Sequence, residues 1–125
     1  MINMDEESLR VRVFTQTTRQ MVNLGFQARQ RGYRYLREAV WVAYRDPTAL
    51  AAITKHLYPV VAKCFDTSDK QVERAIRNAI ETAWLQGKPE TLRDFFGETY
   101  RGGTIRPTNK EVIARFVNYI KNGEF

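Results

Sequence analysis

Six polar side chains between positions 70 and 78 carry the chemistry this sequence offers. Lys70, Gln71, Glu73, Arg74, Arg77 and Asn78 are cations, amides and a carboxylate, the groups that hydrogen-bond base edges and phosphate oxygens. Their spacing matters as much as their type. Val72, Ala75, Ile76, Ala79, Ile80 and Ala83 recur at the three-and-four interval of one helix face, with Trp84 at its edge, so this face is core and the six polar residues fall opposite. Arg74 and Arg77 then lie one turn apart, with Gln71 and Asn78 alongside. An amphipathic helix with a mixed-charge outer face is more often a plain surface helix, and pattern alone leaves that alternative ahead. The arginine pair and a formal net charge of +6 bring an anionic polymer level with it.

Other chemistries find little support. The chain has one cysteine, Cys64, and one histidine, His56; together they make neither a four-ligand zinc site nor a nucleophile–base pair. Cys64 lies on an apolar stripe and is expected in the core, with no intrachain disulfide. No glycine-rich phosphate loop is present. No catalytic, metal-binding or cofactor-binding residue is therefore assigned, and an enzyme is not expected. No apolar run approaches the length of a bilayer span, and MINMDEES lacks the charge and the apolar core of a secretion signal. The expectation is a cytoplasmic protein with no membrane partner.

The elements that would hold the six residues in place are helices. Ser68 is placed to cap the helix spanning 69–86, with Gln71 reaching back to the Ser68 N–H in a capping box and Asp69 at the positive end of the dipole. Upstream, Leu57, Val60, Val61, Cys64 and Phe65 form a shorter stripe, Pro59 is tolerated in a first turn, and Asp66-Thr67 makes a tight polar connection. Helices near 57–65 and 69–86 make a helix-turn-helix. Around it the pattern predicts a helix from about Thr15 to Leu24 stopped by Gly25, and one through GYRYLREAVWVAYRD ending before Pro47. It also predicts a short helix from Thr48 to roughly Lys55, continuous with the next or kinked, one over Glu90–Phe96, and a last one capped by Thr108 and Glu111. Residues 98–107 are the most flexible internal segment by composition. The fold class is all-α, about six helices in one domain over 15–125, with residues 1–14 an N-terminal arm or linker remnant, in which the alternation of SLRVRVF also allows a short extended segment.

Four blocks, GYRYLREA, ITKHLYPVVAKCF, QVERAIRNAIETAW and RPTNKEVIA, resemble in order the C-terminal effector domain of stage zero sporulation protein A, over roughly Thr18 to Ile120. The resemblance implies a six-helix domain that binds short elements of double-stranded DNA, often as a head-to-tail pair, and regulates transcription through the RNA polymerase sigma subunit. Carried onto this chain, it places base reading on Gln71, Glu73 and Arg74, continuing along Arg77 and Asn78, and sigma contact on residues 85–96. Two positions depart from the family's pattern: Gln71 stands where arginine is usual, and Asn78 where histidine is frequent. Glutamine favours adenine where arginine favours guanine, so the preferred element is expected to differ at one base pair. The family's proteins carry an N-terminal receiver domain, and none is expected within this sequence. In the family the receiver restrains the effector until phosphorylation, so constitutive DNA binding is expected of a fragment or of a free-standing effector alike.

The function expected is thus a sequence-specific double-stranded DNA-binding transcription regulator of the sporulation response-regulator type. The alternative is a protein-interaction module that kept the fold and lost DNA binding. Arg74 and Arg77 discriminate, because such a module has no reason to keep two arginines on an exposed face.

Overall fold

A computed structural model describes residues 5–125 and contains, among them, seven α-helices and no strand. The helices are α1 (Glu6–Leu24), α2 (Arg31–Arg45), α3 (Pro47–Ala51), α4 (Tyr58–Cys64), α5 (Asp69–Gln86), α6 (Pro89–Phe96) and α7 (Asn109–Lys121). The count exceeds the expected six because α3 is a helix of its own. At Ala52 the backbone leaves the helical region (φ −112°, ψ 55°), and a single π-helical turn over Ile53–Leu57 leads into α4. The junction is therefore kinked, and the kink sits at the irregular turn.

The first helix begins earlier than its pattern suggests. Asp5 caps it by accepting from the Ser8 N–H (2.8 Å), with Glu6 and Glu7 in the first turn. Residues 6–14 are thus helix and not an extended arm, while residues 1–4 of the expected arm lie outside the described residues. The alternation in SLRVRVF hid a longer period: Val13, Thr17, Met21 and Leu24 are buried at helical spacing, and Val11 is left exposed. Arg10 completes the docking with a bidentate pair to the buried Glu38 of α2 (2.9 and 2.6 Å). Gly25 ends α1 in the left-handed region at φ 97°, its N–H bonded to the Met21 and Val22 carbonyls.

α2 is the central helix, packed against α1, α3, α4, α5 and α7. Its tightest approach is to α5, at Gly32. A Cβ there would lie 2.0 Å from the Ala75 carbonyl oxygen and 2.9 Å from the Ala79 Cβ, and the first of these is backbone that cannot step aside. Gln30 reinforces the crossing by donating to the Thr82 hydroxyl (2.9 Å). Gly32→Ala is therefore expected to lower stability by on the order of 2 kcal/mol, since overpacking here must push α2 and α5 away from each other. Thermal melting checks this, and an unchanged midpoint would mean that the crossing has room for a methyl group.

The stripe on α4 is rotated from its expected setting. Tyr58, Val61 and Ala62 are buried, whereas Val60 and Cys64 are exposed. Cys64 is therefore not a core residue. Buried Tyr58 fixes the phase, because its hydroxyl accepts from the Asn109 Nδ2 (3.0 Å) across the domain. The Cys64 Sγ lies 4.0 Å from a Glu38 carboxylate oxygen. Desolvation of the sulfur, followed by that carboxylate, pushes the thiol pKa up, away from the activated thiolate.

Candidate nucleic-acid interface

Helix α5 spans Asp69–Gln86 as its pattern predicts, and its core face is the expected one: Val72, Ile76, Ala79, Ile80, Ala83 and Trp84 are buried, with Ala75 partly covered. The connection before it is short. The Phe65 and Thr67 N–H groups both bond the Ala62 carbonyl (3.3 and 3.0 Å), with Asp66 between them at φ 53°. That conformation suits aspartate better than most residues, and it lets α5 start three residues later, at Asp69.

Half of the expected capping box forms. The Gln71 backbone N–H donates to the Ser68 hydroxyl at 3.2 Å, but the Gln71 side chain does not return to Ser68. The second box in the chain is complete, with the Glu111 N–H donating to the Thr108 hydroxyl (3.1 Å) and the Thr108 N–H donating to the Glu111 carboxylate (2.8 Å). The contrast is chemical: a carboxylate makes a charge-assisted bond to the N-cap amide, and a neutral amide competes less well with water. The exposed Gln71 amide consequently has no partner among the described residues.

Five of the six residues are exposed, and only Glu73 is half-buried. Lys70, Gln71, Arg74 and Asn78 are exposed together on the outer side of the first turns. Glu73 and Arg77 sit on a flank, joined by an ion pair of 3.1 Å in the favourable order, with the acid one turn nearer the N-terminus. Both line a cleft of about 590 Å³ whose other wall is Thr104–Lys110. The Glu73 carbonyl there accepts from the Asn109 Nδ2 (3.1 Å), so Asn109 ties α7 to α4 and to α5 at once. Burial pushes the Tyr58 phenol pKa up, which keeps its proton in place.

Two residues of this surface were not expected. Arg106 pairs with Glu81, farther along the outer side of α5, at 3.1 Å, and Lys110 opens α7 beside it. The glycine pair at 102–103 and Pro107 marked the segment as loop, and that signal masked its charge. Leu85 continues the line through Arg74, Asn78 and Glu81 and is 79% exposed.

Residues 17–120 match the family model described as sporulation initiation factor Spo0A C terminal. The chain belongs to that family. Its members are DNA-binding effector domains of sporulation response regulators, and the all-α architecture fits. Among the described residues no helix is long and apolar enough to cross a membrane. In this family setting, the exposed group at the start of α5 lies on the second helix of the helix-turn-helix formed by α4 and α5. Such a helix presents its N-terminal residues to the major groove.

Proposed function

We propose that the chain is a sequence-specific regulator of transcription that reads the major groove of duplex DNA with α5, in a cytoplasmic setting. One observation carries the reading: Lys70, Gln71, Arg74 and Asn78 stand exposed on the outer side of a helix that is buried opposite. Gln71, Arg74 and Asn78 are suited to base edges and Lys70 to phosphate. Glu73 and Arg77 contact the duplex from the flank, Arg77 as a phosphate ligand. Head-to-tail pairing on DNA and contact with the RNA polymerase sigma subunit through residues 85–96 complete the proposal. On that segment Leu92, Phe95 and Phe96 are buried, which leaves Leu85, Lys88, Glu90, Arg93 and Asp94 to meet a partner.

Selection of bound duplexes from a random pool tests the reading. Enrichment of a short element is expected. Retention of DNA without enrichment would limit the protein to non-specific binding, and no retention would favour the protein-interaction module. A second expectation concerns Arg77→Ala, which should weaken specific and non-specific duplexes by similar factors. The slope of log affinity against log salt should then be shallower by about 0.9, the value of one phosphate contact. Equal affinities of variant and parent at low salt would take Arg77 out of the interface.

A further inference from the structure

The loop between α6 and α7 runs along the flank of α5. Thr104–Lys110 share one cleft with Glu73, Arg77 and Ile80, and Gly103, Thr104 and Arg106 border a second with Glu81, Trp84 and Leu85. From Thr99 to Lys110 the sequence contains Arg101, Arg106 and Lys110 and no acid. We propose that this loop and the first turn of α7 are a second DNA contact, a basic arm on which Arg106 and Lys110 bind backbone phosphates beside the base pairs read by α5. The inference rests on the proposed DNA-reading function.

The arm is held at both ends, as a phosphate grip must be if it is to add affinity without losing much chain entropy on binding. At one end Tyr100 packs on Trp84, ring centroids 5.9 Å apart, beneath Arg93 at 5.2 Å from the Tyr100 ring. At the other end Pro107 is buried, Thr108 and Glu111 form their capping box, and Asn109 bonds both Tyr58 and the backbone of α5. Arg101 serves the scaffold, its guanidinium lying against the Glu111 carboxylate (3.4 Å). Arg101 is exposed as well, but it is turned to the first turn of α7, whereas Arg106 and Lys110 are the exposed cations of this segment that line the cleft shared with α5.

Glu81 shows what Arg106 is shaped to meet. The guanidinium lies 3.1 Å from its carboxylate, with the two side chains 37% and 48% exposed, a solvent-screened pair of the kind that contributes little to stability. A phosphate offers the same oxygens with geometry that suits arginine as well. Lys110 is exposed and has no acidic partner among the described residues. Both cations therefore face outward beside Arg77, on the flank where a strand leaving the major groove would run. Glu81 then becomes an acid facing DNA, and removing its charge should help binding.

The test compares the parent with Arg106→Ala, Lys110→Ala, their double variant and Glu81→Gln, using duplexes enriched by the selection and scrambled controls. Each single alanine variant should flatten the salt slope by about 0.9 and the double by roughly twice that, for both duplexes, with unchanged melting midpoints. Glu81→Gln should bind more tightly than the parent. Phosphate ethylation that blocks the parent should cease to matter, outside the base pairs read by α5, for the double variant. A double variant with the parent's slope and interference pattern would overturn the arm while leaving α5 reading intact. A parent that binds no duplex would instead overturn the DNA-reading function on which the arm depends.

Discussion

Trp84→Ala should lower the stability of the domain by about 3 kcal/mol, the usual cost of truncating a large buried aromatic. The sequence pattern puts this side chain at the edge of the α5 core face, and it is more central than that. It is 5% exposed and packs on Phe96 of α6 and Tyr100 beyond it, at centroid distances of 4.9 and 5.9 Å. Its removal therefore opens a cavity shared by three segments, which cannot collapse by moving any one of them. In a domain of this size the loss corresponds to a melting midpoint lower by roughly 10 °C. The indole Nε1 finds no protein acceptor, so Trp84→Phe gives up no hydrogen bond within the protein and should recover most of the stability. DNA affinity of the alanine variant, measured well below its midpoint, should fall little through α5, because Trp84 lies beyond the turns that carry Gln71 and Arg74. A Trp84→Ala protein that melts with the parent would place the indole in solvent and reverse the orientation of the helix.

What could be read ahead of the structure follows from how local each determinant is. α5 was legible to the residue because its period, its serine cap and its terminal glycine all lie within one stretch. Gly25 and the Thr108–Glu111 box were legible for the same reason. Phase was harder where an apolar stripe is two residues wide: on α4, Val60 and Cys64 fit a buried face as well as Tyr58 and Ala62 do. The choice between them rests on Asn109, 51 positions away, which no local pattern contains. The start of α1 was open for a different reason. Arg10, Val11, Arg12 and Val13 imitate a strand over four residues, and only the continuation through Thr17, Met21 and Leu24 reveals the helix, held down by Arg10 on Glu38. In the candidate site, the helical period was enough to expect the six side chains opposite the core, and five of them are exposed. The ion pair of Glu73 with Arg77, and the loop that walls their cleft, are tertiary features. The residues alone left DNA binding level with a plain surface helix; the family resemblance decides between them, and the match over residues 17–120 shows that family.

Gln71→Arg should move the preference at one base pair of the recognised element from A·T toward G·C by about 1–3 kcal/mol, the worth of one good bidentate contact. A glutamine amide offers a donor and an acceptor, which match adenine N6 and N7. An arginine in its place offers two donors, which match guanine O6 and N7. Position 71 is near the N-terminus of the second helix of a helix-turn-helix, exposed between Lys70 and Arg74, where such helices meet base edges. The competing role for the residue was helix capping, and the structure separates the two. Ser68 accepts from the backbone N–H of residue 71 and not from its side chain, so arginine at 71 keeps the cap and the melting midpoint should stay close to the parent's. Non-specific affinity should be unchanged or slightly higher, since one positive charge is added near the backbone. The measurement is a parallel selection with parent and variant at the same salt concentration. Two identical enriched elements would mean that residue 71 touches no base, and base reading would then rest with Arg74 and Asn78; a switch confined to one position would assign that position to residue 71 and fix the register of α5 on its DNA.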